Sequence, residues 1–350
     1  MTTLRLADPD SIREAADLLR RGRLVAFPTE TVYGLGAHAL DRDAVRRLFQ
    51  AKGRPADDPL IVHIGSADAM GPLVRERPAL VDRLAARFWP GPLTLVLPRS
   101  AAVPDEVTAG LDTVAIRVPA HPVARALLDA AAIPVAAPSA NLFSRPSPTR
   151  AEHVLQDLDG RIDLVLDGGT TTVGVESTVL DLSQDPPAIL RPGAVTLEML
   201  RELVPGVVRR ETTATPREAM PSPGLLTKHY SPRTPLVLYE GERGRVIQRI
   251  HEDARSALLR GTSVGVLAAE GDALGRDHPA ERGKGAWKVV YCGSERDLST
   301  VAARLYDALR ELDTAGVDVI FARSFPDDTG LGVAIQDRLR RAAADTIVRC

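Results

Sequence analysis

Leu24-Val25-Ala26-Phe27 runs straight into Pro28-Thr29-Glu30-Thr31-Val32-Tyr33-Gly34-Leu35-Gly36. The apolar run reads as a buried strand, and the hydroxyls, carboxylate and glycines after it sit at its C-terminal end. Open α/β sheets bind their ligands at such ends. Upstream, Ile12, Ala15, Ala16 and Leu19 recur at helical spacing until Gly22 stops the helix. Downstream, a helix over 43–51 leads to a strand over 60–64, and a helix over 78–89 to a strand over 93–97. A strand over 114–118, a helix over 122–131 and a strand over 135–137 continue the alternation. Thr149 and Glu152 have the spacing of a capping box. Strands over 164–166, 177–182 and 188–190 follow, and Thr196 opens a last helix. Such mixed alternation predicts an α/β layer fold with much of its sheet covered.

The pattern breaks over 205–235, where Pro205, Pro216, Pro221, Pro223 and Gly224 mark a linker. Beyond it, strands over 237–239, 264–268, 289–291 and 317–321 alternate with helices over 245–259, 298–312 and 333–343, as in a small doubly wound domain. A chain of 350 residues exceeds the usual size of one core. The expected parts are a first α/β domain over 1–204, a linker over 205–235 and a small Rossmann-like α/β domain over 236–350.

Composition narrows the function. With 44 basic and 46 acidic residues the net charge is −2, which argues against a broad basic face for nucleic acid. Aromatic residues are 4 % of the chain, too few for a stacking platform. Cys292 and Cys350 form neither a zinc pattern nor a disulfide framework. No apolar stretch reaches membrane-spanning length, and Met1–Leu6 lacks a signal-peptide pattern, so a cytoplasmic location is expected. No G-x-x-x-x-G-K-[ST] loop is present, which excludes a P-loop ATPase.

Four further segments hold polar groups at strand ends. In Lys52-Gly53-Arg54-Pro55-Ala56-Asp57-Asp58-Pro59, the two cations either complement a helix C-terminus or clamp a polyphosphate. His63, on an apolar strand, reads as a hydrogen-bonded core histidine. Pro138-Ser139-Ala140-Asn141, with Ser144 and Ser147 after it, suits a turn or a nucleotide contact. Arg117 lies within a strand, so it faces water or, if buried, must meet an anion. Gly174-Val175-Glu176-Ser177-Thr178 and Leu190-Arg191-Pro192-Gly193 repeat the theme. Together these clusters point to an anionic small-molecule site.

The same segments resemble the YrdC family, and the two-part layout resembles its long threonylcarbamoyl-adenylate synthases. The resemblance rests on PTETVYGLG at 28–36, KGRPADDPL at 52–60, AIRVP at 115–119, PSAN at 138–141, GVESTV at 174–179 and LRPG at 190–193. SPGLLTKHYSP at 222–232 and GLGVAIQDRLRRAA at 330–343 support the long form. It implies a YrdC-like twisted mixed sheet joined by the linker to the Rossmann-like domain. It also implies a reaction joining L-threonine, bicarbonate and ATP into threonylcarbamoyl-AMP and diphosphate, for threonylcarbamoyladenosine modification of tRNA.

By the same resemblance, Thr31, His63, Arg117, Ser177 and the backbone of Ala137 would hold threonine. Arg54, Asp58, Thr113, Ser139, Asn141, Ser147, Arg191 and Tyr230 would hold ATP, with Mg²⁺ expected on the nucleotide. Lys52 and Arg54 would serve catalysis, and the linker would act as a lid over the site. A tRNA threonylcarbamoyl transferase would act downstream, with weak tRNA contact as a further expectation. Two departures stand out: Asp58 replaces a frequent Asn, and Gly224-Leu225-Leu226-Thr227 replaces a frequent Gly-Met-Lys-Tyr. The competing expectations are a synthase of another carbamoyl-adenylate and an RNA-binding YrdC-like module.

Overall fold

The computed structural model describes residues 1–210, 229–274, 285–326, 329–344 and 346–350. Contacts divide the chain into two units, one of Met1–Phe143 with Ser147–Leu225, the other of Ser144–Pro146 with Leu226–Cys350. Residues 211–228 of the expected linker, including Leu225-Leu226-Thr227, lie outside the described residues.

In the first unit β1 (Thr3–Leu6) precedes α1 (Pro9–Arg20). Asp8 caps that helix: its carboxylate accepts from the Ser11 amide at 2.8 Å while the Ser11 hydroxyl accepts from the Asp8 amide at 2.9 Å. β2 (Val25–Pro28) turns directly into β3 (Tyr33–His38), its antiparallel neighbour. The sequence pattern shows no strand over Tyr33–His38, because Gly34 and Gly36 interrupt the apolar signal. Gly36 has a packing reason: a Cβ there would stand 2.9 Å from both Phe27 and Val135. α2 (Arg42–Lys52) follows, capped by Asp41 and stopped by Gly53 at φ 62°, where the chain turns sharply into Arg54.

The unit continues with β4 (Ile61–His63), α3 (Ala79–Phe88), β5 (Leu93–Pro98), α4 (Asp105–Thr108), β6 (Thr113–Arg117), α5 (Pro122–Ala131) and β7 (Val135–Ala136). It closes with α6 (Ala151–Leu158), β8 (Leu164–Asp167), β9 (Thr178–Asp181), β10 (Ala188–Arg191), α7 (Leu197–Arg201) and β11 (Val208–Arg209). α6 starts after Arg150, one residue later than the Thr149 capping box predicts. The Thr149 amide instead donates to His153 Nδ1 at 3.3 Å, so the histidine supplies the back-bond expected of Glu152. At α7 the expected cap is present: Thr196 accepts from the Met199 amide.

These strands form one mixed sheet ordered β1-β8-β2-β3-β7-β4-β6-β5-β9-β10-β11. Strand side chains alternate between faces, and the central strands use the alternation in two ways. Val62, Ile116, Leu95 and Leu180 point into the main core with helix residues such as Leu48 and Leu84. The other face bears a small apolar cluster of Ile61, Ala115, Val96, Val179 and Leu190. His63, Arg117 and Thr94 lie on this second face, two residues along each strand from Ile61, Ala115 and Val96.

The second unit holds β12 (Leu236–Glu240), α8 (Arg243–Leu259), β13 (Val264–Glu270), β14 (Trp287–Ser294), α9 (Leu298–Asp313), β15 (Val319–Arg323), α10 (Gly330–Ala343) and β16 (Ile347–Arg349). Its five strands are all parallel, ordered β14-β13-β15-β12-β16. From β12 the chain crosses to β13 on one side, and from β15 to β16 on the other. The order therefore reverses between β12 and β15, which opens a crevice at their carboxyl ends. No helix among the described residues is long and apolar enough to cross a membrane.

Candidate active site

β-sheet register builds the first half of the site. His63 pairs with Arg117 between β4 and β6, and Thr94 pairs with Arg117 between β5 and β6. Three polar side chains thus stand in a row across three adjacent strands. Arg117 is 3 % exposed and does meet an anion. Its Nη2 donates to Glu30 Oε1 at 2.6 Å, Nη1 to Thr31 Oγ1 at 3.0 Å and Nε to the Gly91 carbonyl at 3.2 Å. The second oxygen of Glu30 accepts from the Ala120 amide at 3.0 Å. Burial raises the Glu30 carboxyl, but the charge and hydrogen bond of Arg117, with the amides of Glu30 and Ala120, outweigh it and hold the group below its usual range.

His63 is buried, with Nδ1 3.3 Å from the Ile61 carbonyl and its ring edge-on to Phe27. Burial first, and then the neighbouring Arg117 charge, hold the imidazole down to about 3, against the pull of Glu30 and the Ile61 carbonyl. The ring is therefore neutral at physiological pH. The sign of the linkage follows: below about 6.5 the unfolded chain binds a proton that the folded ring refuses, so His63 costs stability progressively as pH falls toward about 3. One such proton is worth about 1.4 kcal/mol per pH unit. In urea titrations between pH about 6.5 and about 5, above the range of ordinary carboxylates, His63→Asn should flatten the pH dependence of stability. An unchanged slope would assign it to other groups.

Ser177 joins this row to a second cluster. Its hydroxyl lies 2.8 Å from that of Thr94, and Arg191 Nη2 donates to it at 3.1 Å. Arg191 also donates to the Ser177 carbonyl through Nε and Nη2, at 3.1 and 3.0 Å. Gly193 makes room for this segment, since a Cβ there would fall 2.4 Å from the Thr178 amide and 2.6 Å from the Glu176 carbonyl.

The second cluster is cationic. Arg54 is buried, donates to the Asp58 and Pro59 carbonyls at 3.2 and 2.9 Å, and pairs with the Asp58 carboxylate at 2.8 Å. Burial raises the Asp58 carboxyl above its ordinary value, with Arg54, Lys52 and Arg191 pulling the other way. The cation needed beside this unusual carboxylate is therefore built in as Arg54. Lys52 is 2 % exposed and donates to the Ser139 and Asn141 carbonyls, both at 2.5 Å. Burial, then repulsion from Arg54, drives its ammonium far below the usual lysine value, partly offset by Asp157 and Asp58.

The remaining expected residues are spread more widely. Ala137 is buried, and its amide donates to the Ile61 carbonyl at 2.9 Å, next to His63. Ser139 bridges Gly34, and the Asn141 side chain donates to the Leu142 carbonyl at 2.7 Å. The buried Ser147 hydroxyl donates to Glu176 at 2.5 Å. Thr113 opens β6 at the end away from Arg117. Tyr230 belongs to the second unit, where it is 1 % exposed, packs 5.5 Å from Tyr306 and lies under Arg338. Sequence reasoning placed Glu30 and Glu176 in candidate segments without giving either a role, and passed over Thr94. The strand register with Arg117 was the signal for Thr94, and the demand of a buried Arg117 for an anion was the signal for Glu30.

The chain is similar to known proteins along nearly its whole length. Residues 17–193 match the Sua5/YciO/YrdC family model, described as Telomere recombination, and residues 195–344 match one described as Threonylcarbamoyl-AMP synthase, C-terminal domain. A threonylcarbamoyl-AMP synthase of Bacillus subtilis is 47 % identical over 98 % of this chain and 95 % of its own length. One of Pyrococcus abyssi is 45 % identical over 97 % and 95 %. The crystal structure of P. abyssi Sua5 complexed with L-threonine matches with a TM-score of 0.90 at 43 % identity, covering 100 % of this chain and 99 % of that one.

Proposed function

Since the chain belongs to the Sua5/YciO/YrdC family and has the C-terminal domain of threonylcarbamoyl-AMP synthases, we infer that it is itself such a synthase. It joins L-threonine, bicarbonate and ATP into threonylcarbamoyl-AMP, releasing diphosphate and water. The product is the activated intermediate for threonylcarbamoyl modification of tRNA, and a transferase acting on tRNA adenosine would consume it.

Within the site, the observation that carries the reading is Ser177, which touches Thr94 beside Arg117 on one side and Arg191 on the other. An amino acid over the row of Thr31, His63, Arg117 and Ser177, with the backbone of Ala137, would there meet phosphates held by Arg54 and Arg191. Ser139, Asn141, Ser147 and Thr113 are assigned to the rest of the nucleotide, and the assignment of Tyr230 stands on the resemblance alone.

The chemistry explains why a neutral His63 suffices. Threonine's amine and carbon dioxide from bicarbonate give an N-carboxylate, already a nucleophilic anion, which attacks the α-phosphorus as diphosphate leaves. The protein's task is to hold two anions together and to neutralise the leaving group. Arg54 and Arg191 supply fixed positive charge, and their buried setting makes that charge count for more than it would in water. Asp58 is fully buried and paired with Arg54, so it is satisfied within the protein and does not fit a place as a metal ligand. Mg²⁺ brought in on the triphosphate, held by the phosphates, would supply further charge neutralisation for the diphosphate.

The substrate preference tests the amino-acid half. Serine lacks threonine's methyl group, worth roughly 1–3 kcal/mol in a fitted pocket. In a diphosphate-release assay with ATP and bicarbonate, kcat/KM should be roughly 10–200-fold lower for serine than for threonine. Equal turnover of the two would remove threonine from the assignment.

A further inference from the structure

Three residues from the middle of the chain, Ser144–Pro146, belong to the second unit, although Phe143 and Ser147 on either side belong to the first. They interrupt the run that carries Ser139, Asn141 and Ser147, all proposed above for the nucleotide. Each of the three is held. The Ser144 carbonyl accepts from the Ser231 amide at 2.7 Å, Arg145 Nη2 donates to Asp313 Oδ2 at 3.1 Å, and the Pro146 carbonyl accepts from Arg310 Nη2 at 2.5 Å. Arg310 and Asp313 stand three residues apart at the end of α9, on one face of that helix. Asp313 is 6 % exposed, and its other oxygen accepts from the Thr234 amide at 2.8 Å. One carboxylate thus holds two chain segments.

Backbone geometry marks the same place. Five non-glycine residues among those described have a positive φ. Ala109, Ala132 and Ala344 close α4, α5 and α10, where left-handed residues are common. The other two are Ser144 at 67° and Tyr230 at 59°, the second next to the Ser231 amide that binds Ser144. A residue with a side chain keeps that conformation only where its surroundings impose it, and such residues gather at functional sites.

We propose that Arg145 and Asp313, with Arg310, are positioning residues for ATP: by fixing Ser144–Pro146 they fix where Asn141 and Ser147 stand. The proposal rests on the synthase reading above and gives the second unit a part in it. Within the first unit both flanks are pinned, the Phe143 amide donating to the Lys52 carbonyl at 2.9 Å and the Ser147 hydroxyl to Glu176 at 2.5 Å. Three residues span at most roughly 10 Å, so a shift in their hold passes to these neighbours. The threonine row of Thr31, His63, Arg117 and Ser177 contains no residue of this run, so the effect falls on the nucleotide.

Diphosphate release by the full chain, with ATP and L-threonine varied in turn at fixed bicarbonate, tests it in Arg145→Gln, Asp313→Asn and the double variant. Asp313→Asn keeps an acceptor for the Thr234 amide, and Arg145 is 17 % exposed, so neither change leaves a buried group stranded. Urea denaturation reports whether each variant is folded, and Arg145→Gln decides the test alone if Asp313→Asn is not. A hydrogen bond to a charged ligand group is worth about tenfold in affinity, so the KM for ATP should rise about tenfold in each single variant. The KM for threonine should stay that of the parent. The double variant should match the single ones, because the two side chains act as a pair. An unmoved KM for ATP in a folded variant, an equal rise in both KM values, or effects that multiply in the double variant would overturn the proposal. A parent chain that releases no diphosphate would instead remove the synthase reading, and this proposal with it.

Discussion

Arg117→Ala should cost the protein about 3–5 kcal/mol of stability and, separately, most of its affinity for threonine. The stability loss comes from Glu30. With Arg117 present, a carboxylate that is 7 % exposed has a guanidinium at 2.6 Å and the Ala120 amide at 3.0 Å. Without it, Glu30 keeps one amide partner and either stays charged at high cost or takes up a proton. Because the folded Glu30 titrates below its usual range, the pair contributes its full stability above the ordinary carboxylate pKa and loses it as pH falls through the folded value. The threonine effect is that of a lost charge-assisted hydrogen bond, about 1.5–3 kcal/mol or tenfold and more in affinity. A second variant separates the two roles. Arg117→Met combined with Glu30→Gln removes both charges at similar volume, so stability should largely return while threonine binding stays lost. Urea denaturation and calorimetric titration measure the two quantities. A stable Arg117→Ala chain, or a double variant that binds threonine normally, would contradict this division.

Lys52→Met is the second large effect. The sequence pattern offers Lys52 as a phosphate clamp, but its Nζ donates to two carbonyls, of Ser139 and Asn141, from a position 2 % exposed. We therefore assign it to positioning the 138–141 turn, which bears Ser139 and Asn141, two of the residues proposed for the nucleotide. Each carbonyl left without its donor costs about 1–3 kcal/mol. A turn displaced by about 1 Å can slow a reaction by about 100-fold. The expected result is a loss of stability together with a fall in kcat/KM for ATP of that order. A variant as stable as the parent but inactive would return Lys52 to direct contact with the phosphates.

Much of the framework was legible because strand and helix periods differ and the chain changes period often. The strand over 114–118 and the helix over 122–131 fall where their apolar spacing puts them. Tyr33–His38 was hidden by the glycines that let β3 approach Phe27 and Val135, so close packing erased the signal that usually reveals a strand. Arg117 was legible as a question, since a cation within a strand is either wet or paired. The answer, Glu30, is 87 residues away in sequence and required the fold. Thr149 shows the reverse case, a sound local signal displaced by His153, a neighbour that local patterns do not consider. For Lys52 and Arg54 the sequence offered a helix-end role and a phosphate role. Geometry adds carbonyl partners that neither alternative named.

The most direct measurement is the mass of the product formed when the protein is supplied with ATP, L-threonine and ¹³C-bicarbonate. The account requires a threonylcarbamoyl adenylate that contains one ¹³C, together with diphosphate, and no adenylate when either threonine or bicarbonate is left out. Diphosphate released with no bicarbonate present, or an adenylate without the label, would contradict it.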